Sequence, residues 1–215
     1  MALYVRQLKL GPMENFVYLV GAPDARETAI VDPAWDVAEA ARAAAGDGRV
    51  LTHALVSHHH FDHVNGLPDV LALGGIRAFV HGADLPRLAP ELRREVTAVA
   101  AGDAVEVGPL TVRAFHTPGH TPGSTCWHAG GALFAGDTVF VNACGRCDLA
   151  GGDPEEMFSS LRRVAELPED VTLYPGHDYG DVPVSSIARE KRNNPYFQKL
   201  GALEDFVGYR MRPRR

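Results

Sequence analysis

Cysteine is scarce: three residues in 215, too few for a disulfide framework, and the odd count leaves at least one thiol unpaired within the chain. No uninterrupted apolar run approaches the ~20 residues that span a bilayer. The stretch from Met1 to Leu10 lacks the long apolar segment of a secretory signal, so a cytoplasmic location is expected. Positive charge is not in excess. The chain has 21 Lys and Arg against 27 Asp and Glu, a formal net charge of −6. A chain-wide basic field for nucleic acid is thereby excluded. Short-period repeats and low-complexity segments are absent too. What remains is a globular balance, 46% hydrophobic and 22% charged, in a length that suits one domain. Ten histidines are the feature most in need of explanation, because imidazole is the commonest metal ligand.

Strand patterns dominate. Leu3 to Leu8, Asn15 to Val20 and Thr28 to Val31 are β-rich, and Thr52 to Val56 fits a buried strand. Ala78 to Val80 and Thr172 to Tyr174 read as strands. Ala104 to Val107 with Leu110 to Phe115, and Ser124 to His128 with Ala132 to Ala135, read as pairs around glycine turns. Helices are predicted over Asp36 to Ala45, Leu67 to Leu73, Asp153 to Leu167 and Val184 to Asn193. The third has plain boundaries: Asp153 caps it, Pro154 opens its first turn and Pro168 stops it. Strands partly in hairpins, with helices interspersed, predict a layered α/β protein of mixed sheets. The arginines of the tail, Arg210, Arg212, Arg214 and Arg215, read as a solvated end.

Residues 57 to 63 run Ser-His-His-His-Phe-Asp-His on the loop leaving a strand. His58 and His60 are two apart, so in extended chain they point the same way. Asp62 and His63 are adjacent, so at most one joins that face and the other serves a neighbouring point. The spacing suggests two metal positions side by side. Three more donors recur at strand ends followed by glycine turns: His120 in Pro118-Gly119-His120, Asp137 in Gly136-Asp137, and His177 in Pro175-Gly176-His177. The set is all nitrogen and oxygen, which suits Zn(II), Fe(II) or Mn(II). His53, His59, His81, His116 and His128 are assigned to structure.

His-x-His-x-Asp-His, a Pro-Gly-His, a Gly-Asp and a second Pro-Gly-His, in this order, resemble the metallo-β-lactamase superfamily from Asn15 to about Tyr196. The resemblance implies a four-layer αββα sandwich of two mixed sheets flanked by helices. It takes residues 1–215 as one domain, with a short C-terminal extension from about residue 196. It implies that His58, His60 and His120 bind one metal, that Asp62, His63 and His177 bind a second, and that Asp137 bridges them. A redox di-iron member is expected to carry a carboxylate at His60, which disfavours that reading.

Two adjacent metals generate a bound hydroxide at neutral pH and polarise an acyl oxygen. Asp62 and Asp137 would orient the hydroxide. A thioester is the least demanding substrate, because a thiol of pKa ~8.5 leaves without a proton donor. Glu14-Asn15-Phe16-Val17-Tyr18, Asp32-Pro33, Asp62-His63-Val64-Asn65-Gly66 and Pro175-Gly176-His177-Asp178-Tyr179 are similar to glyoxalase II, the hydroxyacylglutathione hydrolases. That likeness implies a small glutathione-derived thioester as substrate, with neither nucleic acid nor membrane as partner. It also implies substrate contacts at Arg146 and Tyr179, with Cys147 beside them. Two departures are plain. Asp148 stands where an aromatic is expected, and about twenty residues follow Pro195 where a long helical region is expected. Gly145-Arg146-Cys147-Asp148 also resembles the Gly-Arg-x-Asp of the persulfide dioxygenases, which hold a single Fe(II) on two histidines and an aspartate, here His58, His120 and Asp137. Lactone or ester hydrolysis uses the same hydroxide. Cys144 and Cys147 read as two small loop thiols near the pocket.

Overall fold

The segment Asn15–Gly21 carries apolar residues on both faces and is buried throughout. A strand of that kind must be covered on both sides, which sets the layering of the molecule. Val17 and Leu19 face one core, shared with Ile30, Ala54 and Val56, and with Ala40 and Val70 of the covering helices. Phe16, Tyr18 and Val20 face a second core, shared with Leu55, Val112, Trp127 and Phe134. A third core gathers Cys126, Leu133, Met157, Leu161 and Phe206. Helix, sheet, sheet and helix therefore stack as four layers around three apolar seams.

The computed structural model describes residues 3–212. One sheet runs β1 (Tyr4–Leu10), β2 (Asn15–Gly21), β3 (Glu27–Val31), β4 (Val50–Leu55), β5 (Arg77–His81), β6 (Val96–Val99) in spatial order. Its first three strands are antiparallel and the remaining pairings are parallel. The parallel step from β3 to β4 requires a crossover, supplied by α1 (Val37–Gly46). Asp36 caps α1 by accepting from the Glu39 N–H at 2.8 Å. One-turn α2 (Phe61–Val64) and α3 (Leu67–Ala72) link β4 to β5.

The second sheet holds β7 (Ala104–Val107), β8 (Leu110–His116), β9 (Thr125–Ala129) and β10 (Ala132–Phe134) as an antiparallel meander. A small pair, β11 (Val139–Phe140) and β12 (Ala143–Cys144), lies outside it. Then come α4 (Pro154–Ala165), β13 (Thr172–Tyr174) parallel to β10, β14 (Ser185–Ser186), α5 (Ile187–Asn193) and α6 (Leu203–Arg210). Asp153 caps α4 at the Glu155 and Glu156 N–H groups. Among the described residues no helix is long and apolar enough to cross a membrane.

The C-terminal end departs from the solvated tail that its arginines suggest. Residues 203–210 form α6, and Phe206 and Arg210, four apart, share its buried face. Phe206 packs on Phe158 of α4 with centroids 5.6 Å apart, and on Tyr196 at 6.3 Å. The Arg210 guanidinium donates to the Tyr196 hydroxyl at 3.1 Å. Arg212 sits over the Tyr209 ring, and Arg214 and Arg215 lie outside the described residues. The sequence offers little sign of this, because Phe206 and Arg210 give a single turn of pattern beside Gly208.

Because Phe206 is fully buried in the third core, Phe206→Ala is expected to lower unfolding free energy by about 3 kcal/mol or more in urea titrations. A loss below about 1 kcal/mol would contradict a packed role for α6.

Candidate metal centre

The polar histidine loop begins where β4 ends, beside the parallel strands, and its backbone leaves the sheet at Val56. His60 is extended and precedes the single turn of α2, which swings Asp62 and His63 back toward the loop's own start. His120 follows β8, Asp137 follows β10 and His177 follows β13, so the second sheet delivers its donors from strand ends. A bridge between Asn15 and His177 joins the two sheets at that edge. Two glycines make the convergence possible. A Cβ on Gly119 would lie 2.4 Å from the Met157 backbone, so only glycine lets α4 seat against the His120 turn. A Cβ on Gly145 would lie 1.8 Å from the Asp137 carbonyl oxygen, so the 144–149 loop passes directly over the aspartate.

All seven predicted donors meet at this edge. Their ligand atoms form three groups, His58–His60–His120, His58–His63–Asp137 and Asp62–His63–His177, each within 4.8 Å. His60 Nδ1 and His120 Nε2 are 2.9 Å apart, and His63 Nε2 and His177 Nε2 are 3.2 Å apart. Asp62 Oδ2 lies 3.3 Å from His177 Nε2. Asp137 reaches both halves, with Oδ1 3.2 Å from His63 Nε2 and Oδ2 3.5 Å from His120 Nε2. His58 Nε2 and Asp137 Oδ1 are buried without a partner of hydrogen-bonding geometry. Donor atoms aimed at shared points rather than at one another are what cations fill, and the oxygen and nitrogen set fits a pair of divalent ions.

The outer nitrogens of four histidines are held, which turns Nε2 inward. Ser57 Oγ donates to Asp32 at 2.7 Å, leaving its lone pair for His58 Nδ1–H at 3.0 Å. His63 donates from Nδ1 to Asp32 Oδ2 at 3.0 Å. His120 donates to the Arg146 carbonyl at 2.8 Å, and His177 to the Met13 carbonyl at 2.9 Å. Asn15 donates to Asp62 Oδ2 at 3.0 Å while accepting from Trp35 Nε1 at 2.7 Å. Sequence reasoning assigned no roles to Asp32, Asn15 or Trp35. Asp32-Pro33 closing an apolar strand was the available signal for the first, and its positive φ of 52° marks a constrained turn.

Electrostatics divides the centre. Burial, with the charge of His63 beside it, holds His58 well below the ordinary histidine range. Burial and His120 bring His60 down to about 4, and burial also lowers His120. Burial acts on His63 in the same sense, but the Asp137 and Asp32 carboxylates outweigh it and raise His63 well above its usual value. His177 is likewise raised, because Asp62 and Asp137 overcome its burial. Asp137, pushed up by burial, is pulled down to about 2 by His63, His120 and His177. Asp62 is lowered in the same way, by its hydrogen bond with His177 and by His63. The carboxylates thus favour a proton on the His63–His177 pair in the free protein, whereas burial favours the neutral forms of His58, His60 and His120.

Met13, Phe140, Arg146, Leu149 and Tyr179 line the adjoining pocket together with five of the donors. Arg146 forks onto Asp148 at 2.7 and 2.8 Å, and the Tyr179 ring stacks on His177 at 4.6 Å. Cys147, expected beside Arg146 and Tyr179, is instead buried in the third core with Cys144. In this extended loop alternate side chains face opposite ways, so Arg146 and Asp148 point outward and Cys147 inward. Burial pushes the Cys147 thiol up to about 11, which leaves it protonated. His59 binds Asp84, His53 pairs with Arg77 and His81 stacks on His116 at 3.8 Å, all outside the donor groups.

Cations entering the Asp62–His63–His177 half must displace protons, so its affinity is expected to fall as pH drops. Zinc titration calorimetry from about pH 6 to about pH 8, in buffers of different ionisation enthalpy, should register at least one proton released per chain. Affinity independent of pH, with no proton release, would contradict this charge balance.

Residues 10–177 match the family described as metallo-beta-lactamase superfamily. A probable polyketide biosynthesis zinc-dependent hydrolase, BaeB, of Bacillus velezensis is 32% identical over 200 residues, covering 92% of this chain and 88% of that one. Hydroxyacylglutathione hydrolase of Maricaulis maris is 39% identical over 171 residues, covering 77% of this chain and 63% of that protein. The crystal structure of ETHE1 from Myxococcus xanthus superposes with a TM-score of 0.87 at 31% identity, covering 98% of this chain and 92% of that one. With the αββα layering and the donors at one sheet edge, these likenesses show that the chain belongs to the metallo-beta-lactamase superfamily, as a metal-dependent hydrolase.

Proposed function

We propose that the protein hydrolyses thioesters, the reaction class of the hydroxyacylglutathione hydrolases it resembles. One observation carries the reading. Beyond the donor residues, the polar side chains lining the pocket are Arg146, which is engaged by Asp148, and Tyr179, whose hydroxyl points to the Met13 carbonyl. A thiol of pKa ~8.5 departs as thiolate and needs no proton donor, whereas an amine does.

We assign His58, His60 and His120 to one cation and Asp62, His63 and His177 to another, with Asp137 facing both. Divalent ions held there would lower the pKa of water and polarise the acyl oxygen. The chain's own residues do the rest. Asp137 and Asp62 remain ionised at neutral pH, so each accepts an O–H of the attacking water and fixes its direction. Met13, Phe140 and Leu149 supply apolar walls for the substrate and exclude bulk water. We assign the thiol half to Arg146 and Tyr179, on the pocket wall, where a substrate carboxylate would have to displace Asp148 from Arg146. Glutathione is the thiol suggested by the likeness to the Maricaulis maris enzyme, whereas the likeness to BaeB suggests a substrate from polyketide biosynthesis. Three buried cysteine thiols outside any disulfide suit a reducing compartment such as the cytoplasm.

S-lactoylglutathione and an S-acyl-N-acetylcysteamine test this reading directly. The metal-loaded protein should cleave at least one of them, lose activity on chelation and regain it with zinc. Asp137→Asn should lower kcat/KM at least about a hundredfold with the fold intact. Oxygen uptake on glutathione persulfide by a one-iron protein, with neither thioester cleaved, would overturn the proposal in favour of a dioxygenase.

A further inference from the structure

Asp84 belongs to no motif and to none of the donor groups, yet it is fully buried. Its Oδ2 accepts from the backbone N–H and the Nδ1–H of His59, both at 2.9 Å, and from the Thr121 hydroxyl at 2.8 Å. Its Oδ1 accepts from the Gly123 N–H at 2.7 Å. A Cβ on Gly123 would come within 2.6 Å of that oxygen, so the 120–123 turn closes directly onto the carboxylate. One side chain from the β5 end thus ties together two loops distant in sequence. The first carries His58 and His60 on either side of His59, and the second carries His120. Hydrogen bonds to an ionised carboxylate are among the stronger ones, and here the carboxylate itself and its contacts to Thr121 and Gly123 are shielded from water.

The other half of the centre has different supports. Asp32 holds His63, Asn15 holds Asp62, and the Met13 carbonyl holds His177. Asp32 also reaches His58 through Ser57 and so serves both halves, as Asp137 does, whereas Asp84 touches only the 58–60 and 120–123 loops.

We propose that Asp84 is a positioning residue for one half of the centre: it presets His58, His60 and His120 as a single ion site, and its loss empties that site while the Asp62–His63–His177 site keeps its ion. Without Asp84, the His59 and Gly123 N–H groups and the Thr121 hydroxyl lose their acceptor in a buried place, and the two loops separate to reach water. The inference rests on the two-ion assignment of the donors. Supports of this kind are worth about 10–100-fold in metal affinity.

The full chain, stripped and reloaded with Co(II) or Zn(II), gives the test. Wild type should take up two equivalents. Asp84→Ala should hold one equivalent at wild-type affinity and bind the other about 10–100-fold more weakly. Its Co(II) visible spectrum should lose the bands of the three-histidine position and keep the rest. Asp84→Asn, which preserves an acceptor oxygen, should recover part of the lost affinity. Thr121→Val removes one of the four hydrogen bonds to Asp84, together with that to Ser124, at nearly constant volume and should shift affinity the same way by a smaller factor; it decides the matter should Asp84→Ala fail to fold. Folded variants that bind both ions as wild type does, or that lose both together, would overturn the proposal. A wild-type chain that takes up fewer than two equivalents would overturn the two-ion assignment, and this inference with it.

Discussion

Five histidines and two carboxylates crowd one edge of two stacked sheets, with their ligand atoms within 4.8 Å inside each group. That crowding is costly by itself. Imidazole nitrogens brought to 2.9 and 3.2 Å of one another gain little, and a buried carboxylate without a counter-charge is strongly disfavoured. The arrangement becomes favourable when positive charge lies between the donors. In the free protein a proton on the His63–His177 pair supplies part of it, and divalent ions would supply more and at both positions. The rest of the structure is arranged to keep these side chains in place despite their mutual cost.

The layered fold provides the stiffness. The second core, between the sheets, is built from Tyr18, Leu55, Trp127 and Phe134, all nearly or fully buried. It locks the strands whose ends carry the donors, so the loops start from fixed points. Outer residues then aim the individual rings. Asp32 reaches Ser57 and His63, Asp84 reaches both the 58–60 and 120–123 loops, and Asn15 reaches Asp62. Each buried carboxylate in this shell has its acceptors filled, which is why its burial is tolerable.

How much of this could be read from residues alone depends on sequence distance. His58, His60, Asp62 and His63 were legible because they share one short loop, and His120, Asp137 and His177 because each follows a strand and a glycine. The layering was legible where apolar runs such as Asn15–Gly21 are buried on both faces. Asp84 was not, because its partners are His59, Thr121 and Gly123, and nothing local distinguishes it from a surface acid. Helix α6 was hidden behind arginines that suggested a free end, although Arg210 is drawn inward by Tyr196. Cys147 was misplaced because its neighbours face the pocket, while strand-like alternation sends its own thiol into the core.

The chemistry therefore depends on whether two cations occupy this edge together with Asp137 between them. Anomalous diffraction from crystals of protein purified without added metal measures that directly. Two peaks are predicted, each with nitrogen or oxygen donors at about 2.0–2.2 Å, and Asp137 in contact with both. A single peak, or two with Asp137 turned away, would contradict the account.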